Sequence, residues 1–300
     1  MTHARHHGQG NLESAAPGDS AACDQTEMTS FDEVYDQPDP RHFFRLLGRW
    51  DYQTPHHAQR VFRRVAAARA AAPVTVLDIC CSYGINAALL NHDLTLEDLY
   101  AHYTSPQAAA LTTAELIEWD RAYYEAHRRP DAHRVIGLDI AANAISYALA
   151  VGLLDEGFTE NLEAAPPTPA LLHAVQPTLL VTVTGGASFL SPRTFQPLLA
   201  AAHEQVWIAA FVLRTGSYRH IADGLAPYGL ITEKAAAPSY RQRRFTSAHE
   251  QRYAITAVKA AGEDPQGRET DGYFHTELHL SRPAKDTAAL PLTTFTSESV

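Results

Sequence analysis

The fold is decided by residues 73–90, which read PVTVLDICCSYGINAALL. The apolar and β-favouring residues of Val74–Asp78 predict a strand that is buried on both faces, as in a parallel sheet. A turn of small residues follows, and Ile85, Ala88 and Leu89 then recur at helical spacing. A strand, a turn and a helix in this order direct the backbone N–H groups of the turn towards a ligand.

A carboxylate stands at the end of this predicted strand, at Asp78. Removing a carboxylate from water is costly, so such a group is normally hydrogen-bonded either to the turn behind it or to a ligand. The sequence therefore leaves two roles open for Asp78, a structural anchor and a ligand contact.

The letters LDICCSYG within this stretch resemble the first motif of class I S-adenosylmethionine (SAM)-dependent methyltransferases, which is apolar-Asp-apolar-Gly-Cys-Gly-x-Gly. Asp78, Cys81 and Gly84 match the motif, whereas Cys80 and Ser82 stand where the family normally has glycine. Each side chain added to a glycine turn takes space from the ligand beside it. The resemblance implies SAM as the cofactor, with Asp78, Cys80, Ser82 and Gly84 among the residues that bind it.

A second buried strand is predicted at 133–140, HRVIGLDI, and it also ends in an acidic residue. The apolar spacing behind it predicts a helix, carried by Ile145, Ala148, Leu149, Gly152 and Leu153. In the family, an acidic residue at this strand end binds both ribose hydroxyls, and Asp139 stands at that position, followed by Ile140. A carboxylate suits this task because it only accepts hydrogen bonds and can take both hydroxyl protons.

Two further segments resemble strands of the family that contact SAM. Residues 157–163 resemble the third strand, whose end contacts adenine, and Asn161 and Leu162 occupy the matching positions. Residues 177–186 predict the fourth strand, and the turn after Thr184 faces the reacting centre in the family.

The remaining elements complete the predicted sheet. Residues 205–212 predict a fifth strand, and residues 230–233 and 253–258 predict two more, joined by a Pro- and Arg-rich loop at 235–247. Alternating residues at 273–280 indicate one additional strand. Alternation of strands and helices predicts an α/β protein with a doubly wound, mostly parallel sheet. The resemblance implies the seven-stranded Rossmann-like fold of class I methyltransferases, whose last strand runs antiparallel.

The chain divides into segments by composition. Residues 1–30 contain almost no large apolar side chains and are predicted to be a disordered tail, and residues 283–300 are predicted to be a second tail. Residues 31–72 predict a helical cap, whose aromatic residues either pack in the core or seal the ligand from water. The SAM-binding domain is predicted at 73–282, with a helical insertion at 93–131.

Methyl transfer requires mainly that the nucleophile be held in line with the sulfonium and that water be excluded, so a dedicated base is not needed. Tyr83 in the ligand turn and Tyr103 in the insertion are the candidate catalytic residues. The Tyr83 ring is suitable for contact with the sulfonium. The insertion tyrosines have a structural alternative, because they are equally suited to packing.

Composition excludes several classes. A net charge of −10 opposes nucleic-acid binding, and three cysteines cannot form a disulfide framework. Sixteen histidines show no zinc spacing, and residues 182–188 lack the carboxylates of a catechol-type metal site, so no metal is expected. Without a signal peptide or a membrane-spanning run, we expect a cytoplasmic protein with no membrane partner, and a homodimer is left open.

These observations together predict a SAM-dependent methyltransferase that acts on a small molecule in a biosynthetic pathway. Because Cys80 and Ser82 crowd the methionine end, one alternative is an enzyme that transfers or cyclises the aminocarboxypropyl group and releases methylthioadenosine. A second alternative is a non-catalytic SAM- or nucleotide-binding protein. A nicotinamide dehydrogenase is disfavoured, because the turn has one glycine where the dinucleotide fingerprint has three.

Overall fold

The structure, a computed structural model, describes residues 28–297. The predicted N-terminal tail lies outside the described residues, apart from its last three positions. The strands are β1 (Thr75–Ile79), β2 (Arg134–Leu138), β3 (Glu156–Phe158), β4 (Thr178–Thr184), β5 (Trp207–Leu213), β6 (Leu230–Lys234), β7 (Tyr240–Arg244) and β8 (Tyr273–Pro283). The helices are α1 (Asp32–Tyr35), α2 (Arg41–Arg49), α3 (Thr54–Arg69), α4 (Ile85–Asn91), α5 (Leu96–Thr104), α6 (Pro106–Ala110), α7 (Thr113–His127), α8 (Ala142–Ala150), α9 (Pro169–Ala174), α10 (Pro192–Ala201), α11 (Arg219–Leu225), α12 (Ala248–Ala260), α13 (Ala284–Ala289) and α14 (Thr293–Thr296).

The strands form one sheet in the order β3-β2-β1-β4-β5-β8-β6. The first five strands are parallel, whereas β8 runs antiparallel to β5 and β6. The strand order reverses between β1 and β4, and at such a point the connecting helices leave on opposite faces and open a crevice at the carboxyl edge. The predicted doubly wound, mostly parallel architecture is confirmed.

Helices cover both faces of this sheet, because its strands alternate apolar side chains between two separate cores. Val76 belongs to the core on the face covered by α3 and α4, whereas Leu77 and Ile79 belong to the core on the other face. Strands buried on both faces are typical of parallel sheets, which explains the continuous apolar run in β1.

The C-terminal part of the sheet differs from the prediction. Residues 253–258, predicted as a strand, lie within α12, because the Ser247 hydroxyl caps that helix by accepting a hydrogen bond from the Glu250 amide. The closing strand is instead β8, and the loop predicted at 235–247 contains β7, which pairs with β8. The sheet therefore has eight strands, one more than the seven that the family resemblance implied.

The described part of the predicted C-terminal tail, residues 283–297, contains two helices and packs on the sheet. Phe295 in α14 is completely buried, with its ring 6.3 Å from that of Trp207 in β5. The guanidinium of Arg282 lies 5.3 Å from each of these two rings. Packing against β5 thus holds this segment on the domain.

The cap and the insertion form a continuous helical layer. Helix α2 buries Phe43, Phe44 and Leu47, and the Phe44 ring stacks on Tyr103 of α5 at 4.7 Å. Pro55 lies in the first turn of α3, where a missing N–H costs nothing because that amide has no partner within the helix. The layer places the cap over the carboxyl edge of the sheet.

Candidate functional site

A cavity of about 710 Å³ lies at the carboxyl edge of the sheet, between the strand ends and the cap. This volume is within the range of small-molecule sites, roughly 300–1,000 Å³. Seven of the residues predicted to bind SAM line it: Cys80, Ser82, Asp139, Ile140, Asn161, Leu162 and Thr184. Asn161 and Leu162 follow β3, which ends at Phe158.

The turn after β1 keeps a glycine-like backbone without the glycines of the family motif. Cys80 and Ser82 have φ values of 58° and 50°, and Gly84 has a φ of 74°. A side chain in this left-handed region costs roughly 1–2 kcal/mol, because its β-carbon crowds the following carbonyl. The turn therefore stores strain at two positions beside the cavity.

Two glycines, one in β2 and one in the turn after β4, make room for the two cysteines. A β-carbon built on Gly186 would come within 2.5 Å of the Cys80 β-carbon, and one built on Gly137 would lie 2.8 Å from the Cys81 sulfur. Burial raises the pKa of both thiols, which keeps them protonated and poor nucleophiles. The cysteines fill space in the turn, and much of the crowding expected from Cys80 is directed towards Gly186.

Asp139 presents its carboxylate on the cavity wall in a fixed orientation. The Ser82 amide donates to one carboxylate oxygen at 2.8 Å, and the Ala141 amide donates to the other at 2.9 Å. Burial raises the pKa of Asp139, although these amide hydrogen bonds oppose the shift. Each oxygen has a second lone pair, so the carboxylate can accept hydrogen bonds from a ligand diol.

Asp78 lies behind the cavity wall, and its side chain is used inside the protein. Thr182 Oγ1 donates to Asp78 Oδ1 at 2.7 Å, and Asn86 Nδ2 lies 3.0 and 3.2 Å from the two carboxylate oxygens. Desolvation raises the pKa of Asp78 to about 7. These contacts are those of a structural anchor, and the ligand contact expected for Asp78 stays a prediction. Gly84 does not line the cavity either. It is the N-cap residue of α4, and a β-carbon built on it would lie 3.3 Å from the Ala148 side chain.

The two candidate catalytic tyrosines do not line the cavity. The Tyr83 hydroxyl accepts a hydrogen bond from the Gln37 amide at 2.8 Å and lies 2.9 Å from the Gln37 carbonyl, so it ties the turn to the cap. The Tyr103 hydroxyl donates to Asp120 at 2.6 Å inside the insertion, where both side chains are buried. In this structure both side chains have packing and anchoring contacts, and the catalytic role expected for Tyr83 and Tyr103 stays a prediction.

The cavity wall also includes residues that sequence reasoning did not single out. Tyr52 of the cap lines it, and its hydroxyl would lie 3.2 Å from a β-carbon built on Gly185, in the turn after β4. Gln242 of β7 lines it as well, and its side-chain oxygen has no hydrogen-bond partner among the described residues. The sequence carried no signal for Gln242, because β7 was predicted as a loop.

Two searches of the described residues gave negative results. Within residues 28–297, no group of three or more His, Cys, Asp or Glu side chains is arranged to hold a metal ion. In the same part of the chain, no helix has both the length and the apolar character needed to cross a membrane.

No family model and no curated protein matches the sequence. Among solved structures, the N-methyltransferase NodS from Bradyrhizobium japonicum WM9, in complex with S-adenosylhomocysteine (SAH), is similar over 84% of this chain and 96% of its own, with 12% identity and a TM-score of 0.42. The plantazolicin methyltransferase BpumL, in complex with SAH, is similar over 84% of this chain and 93% of its own, with 11% identity and a TM-score of 0.41. Magnesium protoporphyrin IX methyltransferase (ChlM) from Synechocystis PCC 6803, with bound SAM, covers 90% of this chain and 100% of its own, with 13% identity and a TM-score of 0.38.

The strand topology defines the fold independently of these similarities. Five parallel strands reverse their order at β1 and β4, and an antiparallel strand, β8, lies between β5 and β6. With its helical cap over the carboxyl edge, the chain has a doubly wound, Rossmann-like α/β fold.

Proposed function

We propose that the protein is a SAM-dependent methyltransferase that acts on a small molecule in a biosynthetic pathway. The observation that carries the proposal is the Asp139 carboxylate, which is held by two backbone amides on the wall of a cavity at the topological switch point. This placement suits a ligand that offers two adjacent hydroxyl groups, as the ribose of SAM does.

The residues around Asp139 fit the rest of an adenosine. Ile140 follows it on the cavity wall with 69% of its surface exposed, which leaves an apolar face available to a flat base. Asn161 and Leu162 lie on the same wall, one with an amide and one with an apolar side chain. We assign Asp139 to the ribose and Ile140, Asn161 and Leu162 to the adenine.

The methionine end of SAM is assigned to the turn after β1 and to the end of β4. Ser82 lines the cavity there, is 6% exposed, and has a hydroxyl without a hydrogen-bond partner among the described residues. Cys80 and Thr184 are the other wall residues of this end. A buried hydroxyl without a partner is costly, so a ligand group that bonds to Ser82 would be favoured.

SAM would supply a methyl group on a sulfonium. The protein would hold the acceptor in line with that methyl group and would shield the reacting atoms from water. The cap lines its side of the cavity with apolar side chains, including Phe43, Leu47 and Pro55, and a substrate seated against them would displace water from the reacting atoms. None of the described cavity-lining residues is a histidine or a lysine. Burial raises the pKa of Tyr52 well above its ordinary value, so this phenol stays neutral and orients the acceptor without removing its proton.

Calorimetry with SAM and NAD tests the cofactor. We expect SAM to bind and NAD not to bind, and Asp139→Ala to weaken SAM binding about 10- to 100-fold through the loss of hydrogen bonds to a charged group. Asp131→Asn is the matched control, because Asp131 is an exposed acidic residue before the opposite end of β2. Binding of NAD alone, or full SAM affinity in Asp139→Ala, would contradict the proposal.

Product analysis tests the reaction. Incubation of the protein with SAM and cell extract, followed by mass spectrometry, is expected to yield SAH. Methylthioadenosine would instead indicate transfer or cyclisation of the aminocarboxypropyl group, the chemistry considered because Cys80 and Ser82 replace glycines. Tight SAM binding without any nucleoside product would indicate a binding protein.

A further inference from the structure

The charges on the cavity wall are strongly biased. Four carboxylates line the cavity, from Asp36, Asp139, Glu160 and Glu163. Arg243 is the single basic residue among the described residues that line it. A low-dielectric cleft focuses such a potential, so the wall repels anions and favours ligands that are neutral or positive.

The charge of Arg243 is already used by the protein. Its guanidinium donates to both carboxylate oxygens of Glu250, at 2.7 and 3.0 Å, and this pair is buried. The ring centroids of Phe31 and Phe274 lie 5.0 and 4.8 Å from the guanidinium carbon. Arg243 is therefore neutralised and stacked, and it offers little to a substrate carboxylate or phosphate.

The cap side of the cavity is aromatic. The Phe43 ring lies 5.6 Å from that of Tyr35 and 6.2 Å from that of Tyr52, and all three line the cavity. Phe31 completes this group, which we call the aromatic wall. Because the Tyr52 hydroxyl reaches the turn after β4 at Gly185, the aromatic wall borders the end of the cavity that we assign to methyl transfer.

The side chain of Gln242 is a polar group that lines the cavity together with the aromatic wall. The Gln242 carbonyl accepts a hydrogen bond from the Gln53 amide at 2.8 Å, which places β7 beside the segment that carries Tyr52. Gln242 is 7% exposed, and its side-chain oxygen is unpaired among the described residues. The group that this oxygen lacks is an N–H or O–H donor.

We propose that the acceptor is an uncharged aromatic nitrogen compound, a ring-nitrogen heterocycle or an arylamine, held by the aromatic wall and Gln242. This inference rests on the proposed methyltransferase function. A flat ring matches the aromatic side chains, and an N–H group matches the unpaired oxygen of Gln242.

The charge balance of the reaction agrees with this acceptor class. The nitrogen lone pair forms the new N–CH3 bond, and the electron pair of the broken C–S bond goes to sulfur, which becomes neutral. The positive charge moves from sulfur to nitrogen and stays within the acidic cavity. With a carboxylate acceptor the charge would instead be cancelled, and the anion would first have to enter against the wall carboxylates.

The negative charge of the wall selects among nitrogen compounds. An aliphatic amine arrives protonated at neutral pH, and the wall carboxylates would hold it in that form. No histidine or lysine is among the described residues that line the cavity, and its carboxylates stabilise the protonated amine. A weakly basic aromatic nitrogen arrives with its lone pair free and needs no proton transfer before the methyl group moves.

Binding of two matched probes to the SAH-loaded protein tests this inference. The probes are 6-aminoquinoline, which is neutral and carries an N–H donor, and quinoline-6-carboxylate, which has the same rings and a negative charge. We expect 6-aminoquinoline to bind at least about tenfold more tightly in calorimetry. Gln242→Leu should weaken that binding about five- to tenfold. The matched control is Gln196→Leu, because the Gln196 amide bonds to the Gly224 carbonyl away from the cavity.

Each outcome decides between the two proposals. If SAH does not bind, the proposed function fails. If SAH binds and the carboxylate binds as tightly as the amine, or neither probe binds, the acceptor class is wrong and SAM binding stands. Unchanged 6-aminoquinoline affinity in Gln242→Leu would remove Gln242 from acceptor recognition, and thermal unfolding of the variant shows whether the fold is intact.

Discussion

Asn86 Nδ2 lies 3.0 and 3.2 Å from the two carboxylate oxygens of Asp78, and 2.9 Å from Thr184 Oγ1. Asp78 is the second-to-last residue of β1, Asn86 is in the first turn of α4, and Thr184 ends β4. Thr182 adds a hydrogen bond to the same carboxylate at 2.7 Å. One buried carboxylate thus ties together the three elements that frame the cavity floor.

This anchor predicts a pH-dependent stability. Burial raises the pKa of Asp78 from 3.8 to about 7, so the folded protein holds this proton up to about pH 7, whereas the unfolded chain releases it near pH 4. Between these values the folded state binds more protons, so stability falls as pH rises. Relative to Asp78→Asn, the wild type should lose up to about 1.4 kcal/mol of unfolding free energy per pH unit.

Urea unfolding at several pH values between 4.5 and 7.5 measures this difference. Exposed Asp131 provides the control, because its pKa is lowered by its hydrogen bond from Arg129 and Asp131→Asn should give a constant difference above pH 5. A constant difference for Asp78→Asn as well would show that Asp78 titrates at its ordinary value.

Strain in the turn predicts that a glycine stabilises it. Ser82 has a φ of 50° and a buried hydroxyl without a partner among the described residues, so Ser82→Gly should raise the unfolding free energy by about 1 kcal/mol. Ser82→Ala removes the hydroxyl but keeps the β-carbon, so it should gain less. Chemical denaturation of both variants separates the effect of the backbone strain from that of the unpaired hydroxyl. A glycine variant less stable than the wild type would show that the turn is not strained at Ser82.

The sequence predicted the parallel half of the sheet well, because each buried strand is a short apolar run followed by a helix with clear spacing. It placed Asp139 on the cavity, since the carboxyl ends of parallel strands meet at one edge of the sheet. It could not decide the role of Asp78. That role depends on Asn86 and Thr182, which lie 8 and 104 positions away in the chain.

The antiparallel half was predicted less well for a different reason. Residues 253–258 contain β-favouring side chains, but Ala254 and Val258 are buried one helical turn apart and the Ser247 cap fixes a helix. The capping signal is visible in the sequence and was outweighed by propensity. The positions of Tyr52 and Gln242 on the cavity depend on tertiary packing of the cap against β7, which no local pattern records.

The contact between Tyr83 and the cap predicts a loss of stability without a loss of ligand binding. Tyr83→Phe removes the hydroxyl that bonds to Gln37, and it should cost about 1 kcal/mol of unfolding free energy. Since the ring remains and the hydroxyl does not line the cavity, SAM affinity measured by calorimetry should change less than about twofold. A stable variant that has lost SAM affinity would return Tyr83 to the binding site.

The fit between Cys80 and Gly186 predicts that their substitutions are coupled. Gly186 has a φ of −95°, which alanine adopts freely, so Gly186→Ala should be harmful only through the collision of its β-carbon with Cys80. Overpacking of this kind costs about 2 kcal/mol. Cys80→Gly in the same chain removes the obstacle, and the double variant should regain most of that loss.

A double-mutant cycle in urea measures this coupling, with an expected interaction energy of about 1–2 kcal/mol. Gly216→Ala is the control, because a β-carbon there would meet nothing closer than the Leu213 carbonyl at 3.6 Å. Additive losses in the double variant would mean that Cys80 and Gly186 do not share the space. In that case the Cys80 side chain would instead crowd the cavity, and the reaction that releases methylthioadenosine would gain support.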